Sequence, residues 1–256
     1  MRVLVAGLGN MGRSHALAWA AMPGAELVGL VNRSAVALPP ELAGVPQHRD
    51  FHRVLADLRP DLVVVATYSD SHAEYAIAAM RAGAPLILAP VLPRDERGHR
   101  AGRPSALIRE AGDGPGYHPV QIKFHRVLES VPMDAPPLSV TALDAPRRLL
   151  ALPGRGFRWR HRLPAALQLA HDWRLLEASG YAAERSFAGI IGLDQIAWDG
   201  QPPQPLITWL DLSAARVTPP LRAPSPAPRQ TTYRRAGALY RTPSRALLPT
   251  RLPASG

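Results

Sequence analysis

Apolar runs and their spacing organise the first 90 residues of the chain and then lose their rhythm. Residues 2–6 (RVLVA) are a short apolar run that stops at a glycine, the pattern of a strand buried on both faces. From Met11 to Met22 the chain is alanine-rich and apolar on one side, which predicts a helix stopped by Pro23-Gly24. Glu26–Asn32 (ELVGLVN) reads as a second strand, and Phe51–Leu58 as a short helix with Asp50 as its N-cap. Asp61–Thr67 (DLVVVAT) is a third strand. Ser71–Ala82 is a helix with Gly83 at C′, and Pro85–Ala89 (PLILA) a fourth strand. The order β-α-β-α-β-α-β predicts an α/β fold with a doubly wound parallel sheet of the Rossmann type, because parallel neighbours need crossover helices.

Beyond Ala89 the signals thin out. Pro104–Ala111 fits a helix, and Gln121–Ser130 fits either a helix or a strand leading into one. Leu167–Ala178 is an amphipathic helix ended by Ser179-Gly180, while Ala188–Ile191 and Leu206–Leu212 read as strands. Residues 146–164 and 201–205 show neither period. The expected division is a dinucleotide-binding domain over 1–90, an irregular α+β region over 91–215 forming a partial or degenerate substrate domain, and a Pro/Arg-rich disordered tail over 216–256. The tail has too few large apolar residues to offset the entropy of ordering.

Charge follows the same division. The net charge is +10, yet residues 1–90 hold seven arginines and seven acids. The excess lies in the remainder, and from Arg216 onward there are eight arginines, eight prolines and no acid. An arginine-rich end of this kind can serve as a nucleic-acid arm, but no base-reading motif accompanies it, so nucleic acid is not an expected partner. With no cysteine, disulfides, thiolate chemistry and zinc–sulfur sites are excluded, and no metal site is expected. No apolar run approaches the roughly 18 residues of a membrane span. Glycines interrupt residues 1–20, so these do not read as a signal peptide, and a cytoplasmic location is expected.

The chemistry-bearing motif is Gly7-x-Gly9-x-x-Gly12, set between the first strand and the first helix. Gly7 suits a tight turn, Gly9 lets backbone approach a pyrophosphate, and Gly12 lets helix and strand pack closely. The helix N-terminus then offers amides and partial positive charge to phosphates, with Asn10 and Met11 in its first turn. An acid ending the second strand would bind a ribose 2′-hydroxyl and select NAD. This chain has Asn32-Arg33-Ser34 there. Arg33 can pair with a 2′-phosphate and Ser34 can donate to it, so NADP(H) is the expected cofactor, with NAD(H) the alternative.

GLGNMGRSHA, then DLVVVAT, then YSDSHAEYAIAAMRAGA together resemble the Gfo/Idh/MocA family of nicotinamide-dependent oxidoreductases. Its members act mostly on sugars, inositols and related polyols. Met11, Gly12 and His15 match its first motif; Thr67, His72, Glu74, Ala82 and Gly83 match its second. The resemblance implies that Thr67, Tyr68 and His72 lie along the cofactor cleft, although Tyr68 stands where the family often has proline or a small residue. It also implies a second domain built on an open antiparallel sheet, which shapes the substrate pocket and supports a homo-oligomer.

The likeness covers residues 1 to about 88 and then breaks. Ala89-Pro90-Val91 stands where the family has Glu-Lys-Pro, whose lysine is placed beside nicotinamide and substrate. Arg94–Arg100 (RDERGHR) is compatible with codons that, one base later, read Ala-Thr-Ser-Glu-Ala-Thr, the family's continuation into its next helix. A change of reading frame near Leu88–Arg94 is one account of the departure. Ala170–Gly180 (AHDWRLLEASG) again resembles the family's catalytic helix, with His171 at the position of its acid/base. Leu167 replaces the acid one turn earlier, and Ala165-Ala166 replaces a Gly-Gly pair. Two readings follow. In one, an NADP(H)-dependent oxidoreductase moves a hydride to or from a polyol or sugar, and His171 handles the proton. In the other, a nucleotide-binding remnant with an incomplete substrate domain has no turnover.

Overall fold

Val3, Leu4, Val5 and Ala6 are fully buried, as a strand apolar on both faces requires. The computed structural model describes residues 1–111, 114, 116–131, 138–143, 146, 150–152, 156–160, 163–197, 202–213, 216–217 and 231–232. The chain opens with β1 (Arg2–Ala6), α1 (Asn10–Ala20) and β2 (Glu26–Val31). A 3-10 turn at Pro40–Leu42 leads into β3 (Gln47–His48), α2 (Phe51–Leu58), β4 (Leu62–Val65), α3 (Ser69–Arg81) and β5 (Leu86–Leu88). These strands lie in the order β5-β4-β1-β2-β3, all parallel. Val3, Val5, Leu62 and Val64 pack against α1 on one face; Leu4, Ala6, Val63 and Val65 pack against α2 and α3 on the other. This is the doubly wound arrangement, and only the 3-10 turn and the two-residue β3 were not anticipated.

Local signals act as expected here. Asp50 Oδ1 accepts from the Arg53 amide at 3.0 Å and caps α2. At the end of α3, the Gly83 and Ala84 amides return to the carbonyls of Met80 and Ala79 at 3.0 and 3.1 Å, a Schellman closure.

Two expectations of the second half are corrected. The helix expected over 104–111 is instead β6 (Ala106–Arg109), antiparallel to β5. Ala106 and Ile108 face one side of the sheet and Leu107 the other, so the segment buries its apolar residues with period two. For 121–130 the strand alternative holds and there is no helix: β7 (Tyr117–Ile122) is followed by β8 (Leu128–Ser130). Then come β9 (Leu138–Ala142), β10 (Leu150–Leu152), β11 (Phe157–Trp159), α4 (Leu163–Ala178), β12 (Phe187–Ile196) and β13 (Gln204–Asp211).

Strands from both sides of residue 90 share one eleven-stranded sheet, in the order β10-β9-β13-β12-β7-β6-β5-β4-β1-β2-β3. Its far half is largely antiparallel, apart from the parallel pair β7–β12. Helix α4 joins the halves: Leu175 and Leu176 enter the first core, while Leu169, Ala170 and Trp173 enter the second. Of the tail, β14 (Arg216–Val217) and β15 (Thr231–Thr232) pair as a short antiparallel ladder, which departs from the expected disorder at those four residues. The rest of 216–256 lies outside the described residues.

Candidate functional site

The chain leaves β1 through Gly7, whose φ of +94° lies in the left-handed region, and its amide donates to Val31 O at 2.8 Å. Any side chain at Gly7 would overlap the Ala66 carbonyl, and any at Gly12 would overlap the Gly7 carbonyl. The turn, α1 and the end of β4 are therefore packed backbone to backbone. Gly9 differs: a Cβ there would meet no protein atom within 4 Å, and the residue lines an open cleft. Gly9 is the N-cap of α1 and the helix has no side-chain cap and no acid in its first turn. Its first amides are thus left for a ligand.

At the end of β2, the Asn32 carboxamide accepts from Leu8 N at 3.1 Å and donates to Ser34 O at 2.9 Å. This side chain braces the glycine turn against the next loop and brings no negative charge to the cleft. Arg33 and Ser34 are exposed and line it, and Arg33 has no ion-pair partner among the described residues.

The ends of β4 and β5 form the opposite wall. His72, 8% exposed, lies with Nδ1 3.0 Å from Thr67 O and Nε2 2.7 Å from Ala89 O. Thr67 Oγ1 is buried and has no hydrogen-bond partner. Tyr68 is 83% exposed. An unpartnered hydroxyl costs on the order of 1–3 kcal/mol, which a ligand acceptor or donor would recover.

Together these residues enclose a cleft of about 880 Å³ over the C-terminal ends of the parallel strands, where open α/β sheets bind ligands. Every cofactor-site residue expected from the sequence lines it except Gly12, which is buried beneath the turn. Among the described residues no aspartate or glutamate lines it. Its far wall is Ala89, Pro90, Arg103, Pro104 and Ser105. The last three went unread in the sequence, because they reach the cleft only by the antiparallel return of the chain into β6. An uncapped helix start, a cradle open above Gly9 and the orphaned Thr67 hydroxyl all fit a dinucleotide.

His171 lies on α4, with Nε2 2.8 Å from Ala101 O, and is not among the residues lining the cleft. Its neighbour Asp172 is buried and accepts from Gln121 Nε2 at 2.7 Å. Gln121 Oε1 lies 3.3 Å from the Ser105 hydroxyl, which in turn accepts from Ile122 N at 3.0 Å. Burial pushes the Asp172 carboxyl up to about 6, against the opposing pull of the Gln121 hydrogen bond and the charges of His171 and Lys123. Arg94–Arg100 forms a turn braced by Arg100, whose Nε donates to Asp95 Oδ2 at 2.9 Å. Among the described residues no cluster could hold a metal ion, and no helix is long and apolar enough to cross a membrane.

A comparison with curated proteins finds no match. Among solved structures, GenD2 from gentamicin A biosynthesis, in complex with NAD, is 30% identical over 34% of this chain and 26% of its own, with a TM-score of 0.32. An NAD-binding protein from Listeria innocua is also 30% identical, over 34% and 26%, with a TM-score of 0.28. A myo-inositol dehydrogenase from Lactobacillus casei, in complex with NAD(H) and myo-inositol, is 24% identical over 32% and 25%, with a TM-score of 0.29. The chain thus spans about a quarter of the length of these proteins. Residues 1–89 match the family model described as the oxidoreductase family with an NAD-binding Rossmann fold. Over residues 1–89, about a third of its length, the chain is thus similar to the Gfo/Idh/MocA oxidoreductase family.

Proposed function

We propose that the chain binds NADP(H) in this cleft and transfers a hydride between the cofactor and a CH–OH carbon of a sugar, inositol or similar polyol. The carrying observation is the end of β2, where Arg33 and Ser34 follow an uncharged Asn32 beside an uncapped helix start. In this reading the amides of Gly9, Asn10 and Met11 bind the pyrophosphate. Arg33 and Ser34 hold the 2′-phosphate. Thr67, Tyr68 and His72 border the nicotinamide half, and the bound nicotinamide supplies the hydride chemistry. His171 serves as proton carrier once its ring turns from the Ala101 carbonyl toward the cleft. Residues 1–90 act as the cofactor domain and 91–215 as a reduced substrate domain, followed by the basic tail. The setting is the cytoplasm, and the substrate half offers a surface for a homo-oligomer.

Fluorescence titration with NADPH and NADH tests the cofactor assignment. NADPH binds at least about tenfold tighter, a difference of roughly 1.4 kcal/mol, and Arg33→Asp reverses the order. Equal affinities, unmoved by Arg33→Asp, would remove the basis for NADP(H). Turnover is then sought with myo-inositol and neutral hexoses. His171→Ala lowers kcat by roughly 10²- to 10⁴-fold while leaving the NADPH affinity unchanged.

A second reading, binding without turnover, has its own support. Ala89 and Pro90 stand where a proton-handling side chain is expected, and both ring nitrogens of His72 already face carbonyls. Turnover with any polyol excludes this reading.

A further inference from the structure

Among the described residues charge in the cleft is one-sided: no carboxylate lines it, and two arginines, Arg33 and Arg103, stand on opposite walls. Arg33 follows β2, whereas Arg103 lies on the segment that runs beside the end of β5. The strands between are β1 and β4, so β2 and β5 are three strand spacings, about 14 Å, apart. The pyrophosphate cradle lies over β1, still about 10 Å from β5. The two arginines thus stand at opposite ends of the cleft, Arg33 at the β2 end and Arg103 at the β5 end.

Arg103 is also held on a fixed backbone. Leu92 N donates to Gly102 O at 3.1 Å and Ala89 N to Ser105 O at 2.9 Å, so residues 102–105 are strapped to the strand exit. Gly102 is pressed on α4: a Cβ there would come within 2.7 Å of Asp172 Oδ1 and 2.6 Å of Leu175. Prolines flank the site at 90 and 104. Among the described residues Arg103 has no hydrogen-bond or ion-pair partner, although a guanidinium carries five donors in a planar fork. Two residues on, Ser105 Oγ is oriented by Ile122 N and Gln121 Oε1.

We propose that the substrate of this cleft is an anionic sugar or polyol, whose carboxylate or phosphate is held by the Arg103 guanidinium. This rests on the reading of the cleft as a cofactor and substrate site. A planar fork pairs bidentately with either anion, and among the described residues no carboxylate of the cleft competes for it. The neutral analogue would leave the guanidinium unpaired.

Binding by calorimetry to D-glucuronate, D-glucose 6-phosphate and D-glucose tests this, on the chain with and without NADPH. Glucuronate or glucose 6-phosphate binds at least tenfold tighter than glucose, and the tighter of the two identifies the anion. Arg103→Gln abolishes that preference, Arg103→Lys keeps part of it, and neither moves the NADPH affinity. Equal binding of all three sugars, or a preference that survives Arg103→Gln, overturns the proposal. A loss of NADPH affinity in Arg103→Gln overturns it too, by assigning Arg103 to the cofactor. Failure of NADPH to bind the unaltered chain overturns the cofactor reading instead, and the cofactor-free titrations still decide the anion preference.

Discussion

Gln121 Nε2 donates to Asp172 Oδ2 at 2.7 Å, with the two side chains only 4% and 1% exposed. The pair ties β7 to α4 beneath the cleft wall. It is a polar joint inside an apolar interface, and the carboxyl at its centre is costly to ionise.

The cost has a sign that can be measured. Burial raises the Asp172 carboxyl to about 6 from an ordinary 3.8, so the folded chain holds this proton more tightly than the unfolded chain. Its contribution to stability is complete below the unfolded value, declines as the pH rises through the folded one, and is flat above. A shift of two units corresponds to about 3 kcal/mol. Asp172→Asn keeps an acceptor for Gln121 without the charge. The variant gains up to about 3 kcal/mol over the unaltered chain in urea unfolding near pH 8, and little near pH 4. A difference between the two chains that does not change with pH shows that the carboxylate is solvated.

His118 titrates with the opposite consequence. Burial lowers it, and Arg185 adds to that, while the Phe187 carbonyl and Glu110 oppose. Its ring lies within 6.4 Å of those of Trp173, Phe187 and Trp209, a box that suits the neutral imidazole. A depressed histidine stabilises fully above its ordinary value near 6.5, and that stability is lost as the pH falls through the folded value. His118→Gln therefore flattens the acid arm of the unfolding profile below about pH 6.5. An acid arm unchanged in the variant assigns the loss to other groups.

The parallel half was legible because its signals are local. Asp50 caps its own helix, Gly83 closes its own, and Leu62–Ala66 is apolar without interruption. The far half depends on distant partners. Pro104-Ser105-Ala106-Leu107 reads as a helix start, and β5 makes it a strand by offering an open edge. Arg103 and Ser105 enter the cleft only through that pairing, and Gln121 meets Asp172 across 51 residues of chain. No spacing in the sequence carries such a contact.

Gly9 and Gly12 separate ligand binding from folding. A methyl group at residue 12 meets the Gly7 carbonyl, whereas one at residue 9 meets only the cleft. Gly12→Ala costs about 1–3 kcal/mol of stability and weakens nucleotide binding with it. Gly9 has φ −67° and ψ −172°, open to any residue, so Gly9→Ala costs no more than about 1 kcal/mol as a poorer N-cap. Its NADPH affinity nonetheless falls at least about tenfold, because the methyl group occupies the phosphate approach. Thermal unfolding paired with NADPH titration reads both effects. Unchanged NADPH binding in Gly9→Ala would falsify the placement of the pyrophosphate.

His72 fastens the two strand ends that form the cofactor wall, and Ala89 bears the strain of that fastening. The imidazole spans from Thr67 O to Ala89 O, while Ala89 sits at φ +52°, a left-handed conformation that an L-residue with a Cβ resists. Ala89→Gly removes the resistance, and the greater freedom of glycine in the unfolded chain offsets part of the gain, leaving a stabilisation of up to about 1 kcal/mol. His72→Ala removes both contacts to the wall and costs about 1–3 kcal/mol, from the lost ring N–H hydrogen bond and a small cavity. If the bridge is what holds Ala89 left-handed, Ala89→Gly stabilises the unaltered chain but does little in the His72→Ala background, where the loop is free to relax. A double-mutant cycle in urea measures that coupling. A coupling near zero means that the backbone alone, through Ala89 N to Ser105 O at 2.9 Å, fixes the strand exit.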